Sequence, residues 1–100
     1  FARDPKCNAN TLIKTSADCI SLYWSANNFD LKYARDKVAL QGNLDPKILL
    51  QGNEKIFEEA EKYIKIFKGS PYIFNLGHGL LPQTNPDRVK ELVNFIRNYE

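Results

Sequence analysis

The stretch YIFNLGHGLLPQTNPDRVKELVNFI, residues 72–96, decides the fold. Its opening YIFNL is short and rich in aromatic and β-branched residues, which predicts a strand over Tyr72–Leu76. A turn built from Gly, Pro, Thr and Asn follows. Asn85 then supplies an N-cap, Pro86 a first helical position and Asp87 a first-turn acid, and Val89, Leu92, Val93, Ile96 and Tyr99 share one face of the helix they start. Strand, loop and helix in that order make one βα unit.

Working outward, the same alternation recurs. Upstream lies EKIFEEAEKYIKIFK, residues 54–68, in which Ile56, Phe57, Ala60, Tyr63, Ile64 and Phe67 lie on one helical face. Asn53 is its expected cap and Gly69 its expected stop. Before it, VALQG (38–42) reads as a strand ending in glycine, and Pro46 opens a short helix through Leu50. FDLKYARD (29–36) has room for a helix, and CISLYW (19–24) reads as another strand, with Cys19 a small buried hydrophobe within it. Ala9 to Ser16 carries Ala9, Leu12 and Ile13 at helical spacing, with Asn8 as a cap, and Phe1 and Ala2 fit the tail of one more strand.

No strand pair is close enough for a two-residue hairpin, so the alternation predicts an α/β fold with parallel strands. The strands read as continuous apolar runs, as expected when both sheet faces are covered. In such sheets, and above all in a (β/α)8 barrel, chemistry collects on the loops after strand C-termini. Those loops here are FARDP, YWSANN, LQGNLDP and NLGHGLLP.

Composition narrows the function. One hundred residues, 43% hydrophobic and 26% charged, fit one ordinary globular domain rather than a disordered chain. Fourteen basic residues stand against 12 acidic ones, scattered along the chain, a balance that gives no nucleic-acid footprint. No stretch reaches the roughly 20 apolar residues of a membrane span. Cys7 and Cys19 are too few for a disulfide framework and sit in no metal-ligand spacing. Phe1 opens the chain without a Met or a basic leader, so we expect a piece of a longer protein and no signal peptide.

The chain has one histidine, His78, fenced by Gly77 and Gly79. An imidazole titrates near neutrality, so His78 can act as a general acid or a ligand-orienting donor. The glycines would then admit a ligand close to the backbone, or allow positive φ. The alternative is a strand-end turn in which His78 bonds a carbonyl and does nothing else. Gln41, Asn43 and Asp45 at the other strand end can bind a ligand, or can simply form an Asx turn and a helix start. Arg3 and Asp4 can hold an anion and orient a base, or form a surface ion pair. A lone histidine supplies no multi-His metal site, and there is no GxGxxG or Walker loop for a nucleotide cofactor.

VALQGNLDPKIL (38–49), followed after one long helix by residues 72–96, resembles the C-terminal part of the uroporphyrinogen decarboxylase family, and the likeness extends back through ISLYWS and FARDP. The resemblance implies that residues 1–100 are the last four βα units of a single-domain (β/α)8, TIM-type barrel. It implies an enzyme that decarboxylates the four acetate arms of uroporphyrinogen to give coproporphyrinogen, without metal or organic cofactor, as a cytoplasmic homodimer that binds neither nucleic acid nor membrane. His78 maps onto the histidine that lines the substrate cleft, as a catalytic and substrate-binding residue, with Gly77 and Gly79 as close-approach positions beside the substrate. The Asp, Arg, Tyr and Ser of that site belong to segments upstream of Phe1, so the chain alone is expected to be inactive. At the family's LDW this sequence reads Leu22, Tyr23, Trp24, which exchanges a carboxylate for a phenol at the rim. A half-barrel is also expected to expose two sheet edges and an apolar inner face, and so to self-associate. The alternatives are a non-catalytic binding or assembly protein on the same half-barrel, and a cobamide-dependent methyltransferase of the same superfamily. The latter needs thiol and imidazole zinc ligands, for which the sequence offers no His-x-Cys arrangement.

Overall fold

A computed structural model describes residues 9–25, 28–52 and 54–99. The elements run α1 (Ala9–Ile13), β1 (Cys19–Ser21), α2 (Asn28–Arg35), β2 (Ala39–Leu44), α3 (Pro46–Gln51), α4 (Lys55–Phe67), β3 (Tyr72–Leu76) and α5 (Pro86–Arg97). The three strands form one parallel sheet in the order β1-β2-β3. The fold is therefore α/β with parallel strands alternating with helices, as the spacing predicts. The further strand expected at Phe1 and Ala2 lies outside the described residues, as do Arg3, Asp4, Cys7, Asn8 and Asn53.

Register explains which face is covered. Ile20 pairs Leu40, Leu40 pairs Tyr72 and Leu44 pairs Leu76, and residues side by side in a ladder point to the same face. That face carries the core: Ile20, Leu40 and Leu44 are buried with Leu31 and Ala34 of α2, Leu49 of α3, Ile56, Ala60, Tyr63 and Phe67 of α4, and Leu92 of α5. Phe67 stacks on Tyr72 with ring centroids 4.1 Å apart, which seats the end of α4 on the start of β3. Phe57 meets Phe95 at 5.0 Å and joins α4 to α5. The Arg35 guanidinium donates to the Ile66 carbonyl, placing a cation near the C-terminal end of α4, where the helix dipole favours it.

Among the described residues the opposite face is fully buried only at Asn43, short of the expectation that both faces are covered. Ser21, Gln41 and Ile73 share one row of it; Ile73 is 55% exposed, and the next outward residue of β3, Asn75, is exposed too. The neighbours of Ile73 are polar, so the face is mixed rather than apolar. Cys19 is exposed, not buried, because it stands beside Ala39 in the row that Ile20 leaves, one residue off the covered face.

Several boundaries move for local reasons. α1 stops at Ile13 rather than Ser16, with Ser16 at φ +64 and the Thr15 hydroxyl donating to the Leu12 carbonyl at 2.6 Å. β1 pairs only through Ser21, so Tyr23 and Trp24 leave the ladder for the rim. β2 runs past Gly42 to Leu44, because Asn43 and Leu44 pair with Asn75 and Leu76. β3 and the start of α5 fall where the sequence places them: Asn85 accepts from the Asp87 backbone N–H at 2.9 Å, and Pro86 opens the helix. Asp45 caps α3 in the same way, accepting from the Lys47 N–H at 2.9 Å.

Candidate active site

Because the strands are parallel, their C-terminal ends open on one rim. Tyr23 and Trp24 follow β1, Asp45 and Lys47 follow β2, and Gly77 and His78 follow β3. Backbone bonds hold the three ends together. Leu22 N–H donates to Gln41 O at 2.8 Å, and Gly77 N–H donates to Leu44 O at 2.8 Å.

Two glycines set how close these ends come. At Gly42, φ is +125, and an added Cβ would lie 2.9 Å from the Leu22 carbonyl oxygen, so a side chain is excluded on both conformational and steric grounds. The Gly42 carbonyl accepts from the Tyr72 hydroxyl, which draws β3 onto the same point. At Gly77 an added Cβ would meet Trp24 N at 2.2 Å and Trp24 Cα at 2.4 Å. The close approach is thus between two strand ends of the protein itself. Gly79 has open space where a Cβ would go.

Asn43 is fully buried, unlike the exposed turn residue its LQGNLDP setting suggests. Its Nδ2 donates to the Tyr23 carbonyl at 3.3 Å, while its Oδ1 has no partner among the described residues. Asp45 serves as the α3 cap, in keeping with the turn-and-cap reading of that loop.

His78 is half-buried. A cleft of about 260 Å³ is lined by His78 with Ser21, Asn75, Leu76 and Gly79. His78 Nδ1 lies 3.3 Å from the Gly79 carbonyl, which can only accept, so the contact calls for the proton on Nδ1. The Tyr23 ring and the imidazole meet in a T-shaped contact, with centroids 6.2 Å apart and planes at 78°. Tyr23 packs on Trp24 at 5.3 Å, and Lys47 Nζ sits 5.4 Å from the Trp24 ring centroid. The rim therefore offers an imidazole, a serine hydroxyl and an amide in one cleft, beside an aromatic pair and a lysine. Such a set can hydrogen-bond and protonate an anionic, partly apolar ligand. The sequence placed the YWSANN and NLGHG loops on one rim, but the contacts of Tyr23 with His78 and of Trp24 with Gly77 span more than 50 residues and carry no local signal.

A parallel α/β sheet with its polar groups gathered at the strand C-termini defines a protein whose site is built on βα loops. A family model described as uroporphyrinogen decarboxylase (URO-D) matches residues 6–99. The chain is 44% identical over 105 residues to the uroporphyrinogen decarboxylase of Chloroherpeton thalassium, an alignment covering 97% of this chain and 29% of that protein. It is 40% identical over 90 residues to that of Rhodobacter capsulatus, covering 84% of this chain and 25% of the relative. With that of Rickettsia felis it shares 51% identity over 70 residues, or 70% of this chain and 20% of the relative. The chain belongs to the uroporphyrinogen decarboxylase family. It spans less than a third of the length of these relatives. Among the described residues no helix is long and apolar enough to cross a membrane, and no three His, Cys, Asp or Glu side chains are grouped to hold a metal.

Proposed function

We propose that this chain forms the closing C-terminal part, four βα units, of a (β/α)8 barrel that decarboxylates uroporphyrinogen, with His78 as the residue it contributes to the catalytic cleft. The observation that carries the reading is the cleft in which the sole histidine meets Ser21 and Asn75 at the rim. Loss of CO2 from an acetate arm breaks the bond between the methylene and the carboxyl carbon. The electron pair stays on the methylene carbon, which takes a proton to become a methyl group. His78 serves this chemistry in its imidazolium form, in which Nδ1 donates to Gly79 O and Nε2 donates to a substrate carboxylate or passes its proton to the new carbanion. The remaining groups that grip the tetrapyrrole come from the larger part of the barrel, in a homodimeric cytoplasmic enzyme that uses neither metal nor organic cofactor. This chain alone is inactive. Gly77 and Gly79 serve as close-approach positions beside the substrate, with Gly77 also bringing the loop against Trp24 and open space where a Gly79 Cβ would go.

The test is uroporphyrinogen turnover by the protein that carries this sequence, with and without His78→Asn. The variant should lose on the order of 10²-fold in kcat/KM, the usual contribution of a general acid, while its melting temperature stays unchanged. Unchanged turnover together with a large loss of stability would show His78 to be a turn residue only.

A further inference from the structure

The geometry points to Tyr23 as a positioning residue for His78, a role that rests on the proposed placement of His78 in a substrate cleft. A histidine on a loop after a strand is free to rotate unless something outside its own loop limits it. Among the described residues the imidazole's hydrogen bond goes to Gly79, its sequence neighbour, and fixes no orientation relative to the other strand ends. Tyr23 supplies the contact from another element, edge to face at 78° with ring centroids 6.2 Å apart.

Tyr23 is itself held at two points, and its neighbour Trp24 at a third. Its carbonyl accepts from the fully buried Asn43 at 3.3 Å, its ring packs on Trp24 at 5.3 Å, and the Trp24 backbone is pressed on Gly77, one residue before the histidine. The ring thus bears on His78 from a support that the β1, β2 and β3 ends build together. The contact uses the ring rather than the hydroxyl, so phenylalanine should substitute and leucine should not.

The experiment uses the full chain, whose single histidine gives one unambiguous imidazole signal in NMR spectra. Tyr23→Leu should move the His78 ring resonances toward those of an unshielded imidazole, and Tyr23→Phe should restore them. With the whole protein that carries this sequence and uroporphyrin, a stable polycarboxylate porphyrin, as the titrant, Tyr23→Leu should raise Kd roughly three- to tenfold, the fold-change expected for one aromatic pair, and Tyr23→Phe should leave it within twofold. If Tyr23→Leu does not fold, cross-relaxation between the Tyr23 and His78 ring protons of the unsubstituted chain reads the same contact. Absence of that cross-relaxation, or a folded Tyr23→Leu whose histidine spectrum is unchanged, overturns the positioning role. Equal losses in the Phe and Leu variants also overturn it, since they would assign the effect to the hydroxyl. Ring contact in the chain together with unchanged uroporphyrinogen turnover by His78→Asn in the whole protein that carries this sequence sinks the substrate-cleft reading of His78 instead.

Discussion

At the scale of single residues, the rim depends on atoms that are missing as much as on atoms that are present. Gly77→Ala would drive a methyl group to within 2.2 Å of the Trp24 backbone nitrogen, a clash that only movement of a strand end can relieve. We expect it to cost about 2 kcal/mol or more in urea unfolding and to displace His78, whereas Gly79→Ala, with open space around it, should be tolerated. Tyr72 makes a second, pH-dependent case. Burial pushes its phenol above the ordinary value of 10.0, with the charge of Tyr63 adding to the shift. The folded state therefore holds the proton more tightly than the unfolded chain does. This contribution is intact below about pH 10 and is lost as the pH climbs toward the folded value. Tyrosinate absorbance should show Tyr72 titrating last or together with unfolding. Tyr72→Phe should blunt that alkaline loss while costing about 1–3 kcal/mol at neutral pH, because the Gly42 carbonyl loses its donor.

Among the elements, α5 is held mainly by one buried residue, Leu92, with Val89, Phe95 and Ile96 partly covered. Its cap therefore matters: Asn85→Ala should lower stability by about 1 kcal/mol, read as a shift in the urea midpoint at unchanged slope. The limits of β3 and the start of α5 were legible in the sequence, because strand composition, cap and proline all fall within a few residues of each other. Those of β1 and β2 were less so. CISLYW reads as one mostly apolar strand, yet only Cys19–Ser21 pair, because Tyr23 and Trp24 are drawn to Asn43 and Gly77, partners distant in sequence. Asn43 reads as a turn former beside Asp45 and Pro46, but it pairs with Asn75 in the strand and is fully buried, its amide donating to the Tyr23 carbonyl. His78 was findable as a candidate because it is the sole imidazole. Asn75 lies in the same NLGHG stretch, but the contacts of His78 with Ser21 and Tyr23 were not legible, because neighbours from another strand leave no mark in local spacing.

For the molecule as a whole, both β1 and β3 are edge strands among the described residues, and β3 carries the apolar surface. Beyond β3 no further strand is paired among the described residues, and a cleft of about 340 Å³ between β3 and α5 is lined by apolar residues including Phe74, Leu76, Leu80, Val89 and Ile96. With Ile73 and Leu80 both more than half exposed, the 100-residue chain should self-associate in sedimentation experiments. Ile73→Lys, which sets a charge on the edge strand, should shift it toward monomer. Strand order carries a different consequence, for how the protein is made. Each strand lies beside the one that precedes it in the chain, and β2 has both its partners as immediate neighbours in sequence. A nascent chain leaving the ribosome can therefore lay each βα unit onto the last as it emerges, with no strand having to be inserted later between two already in place.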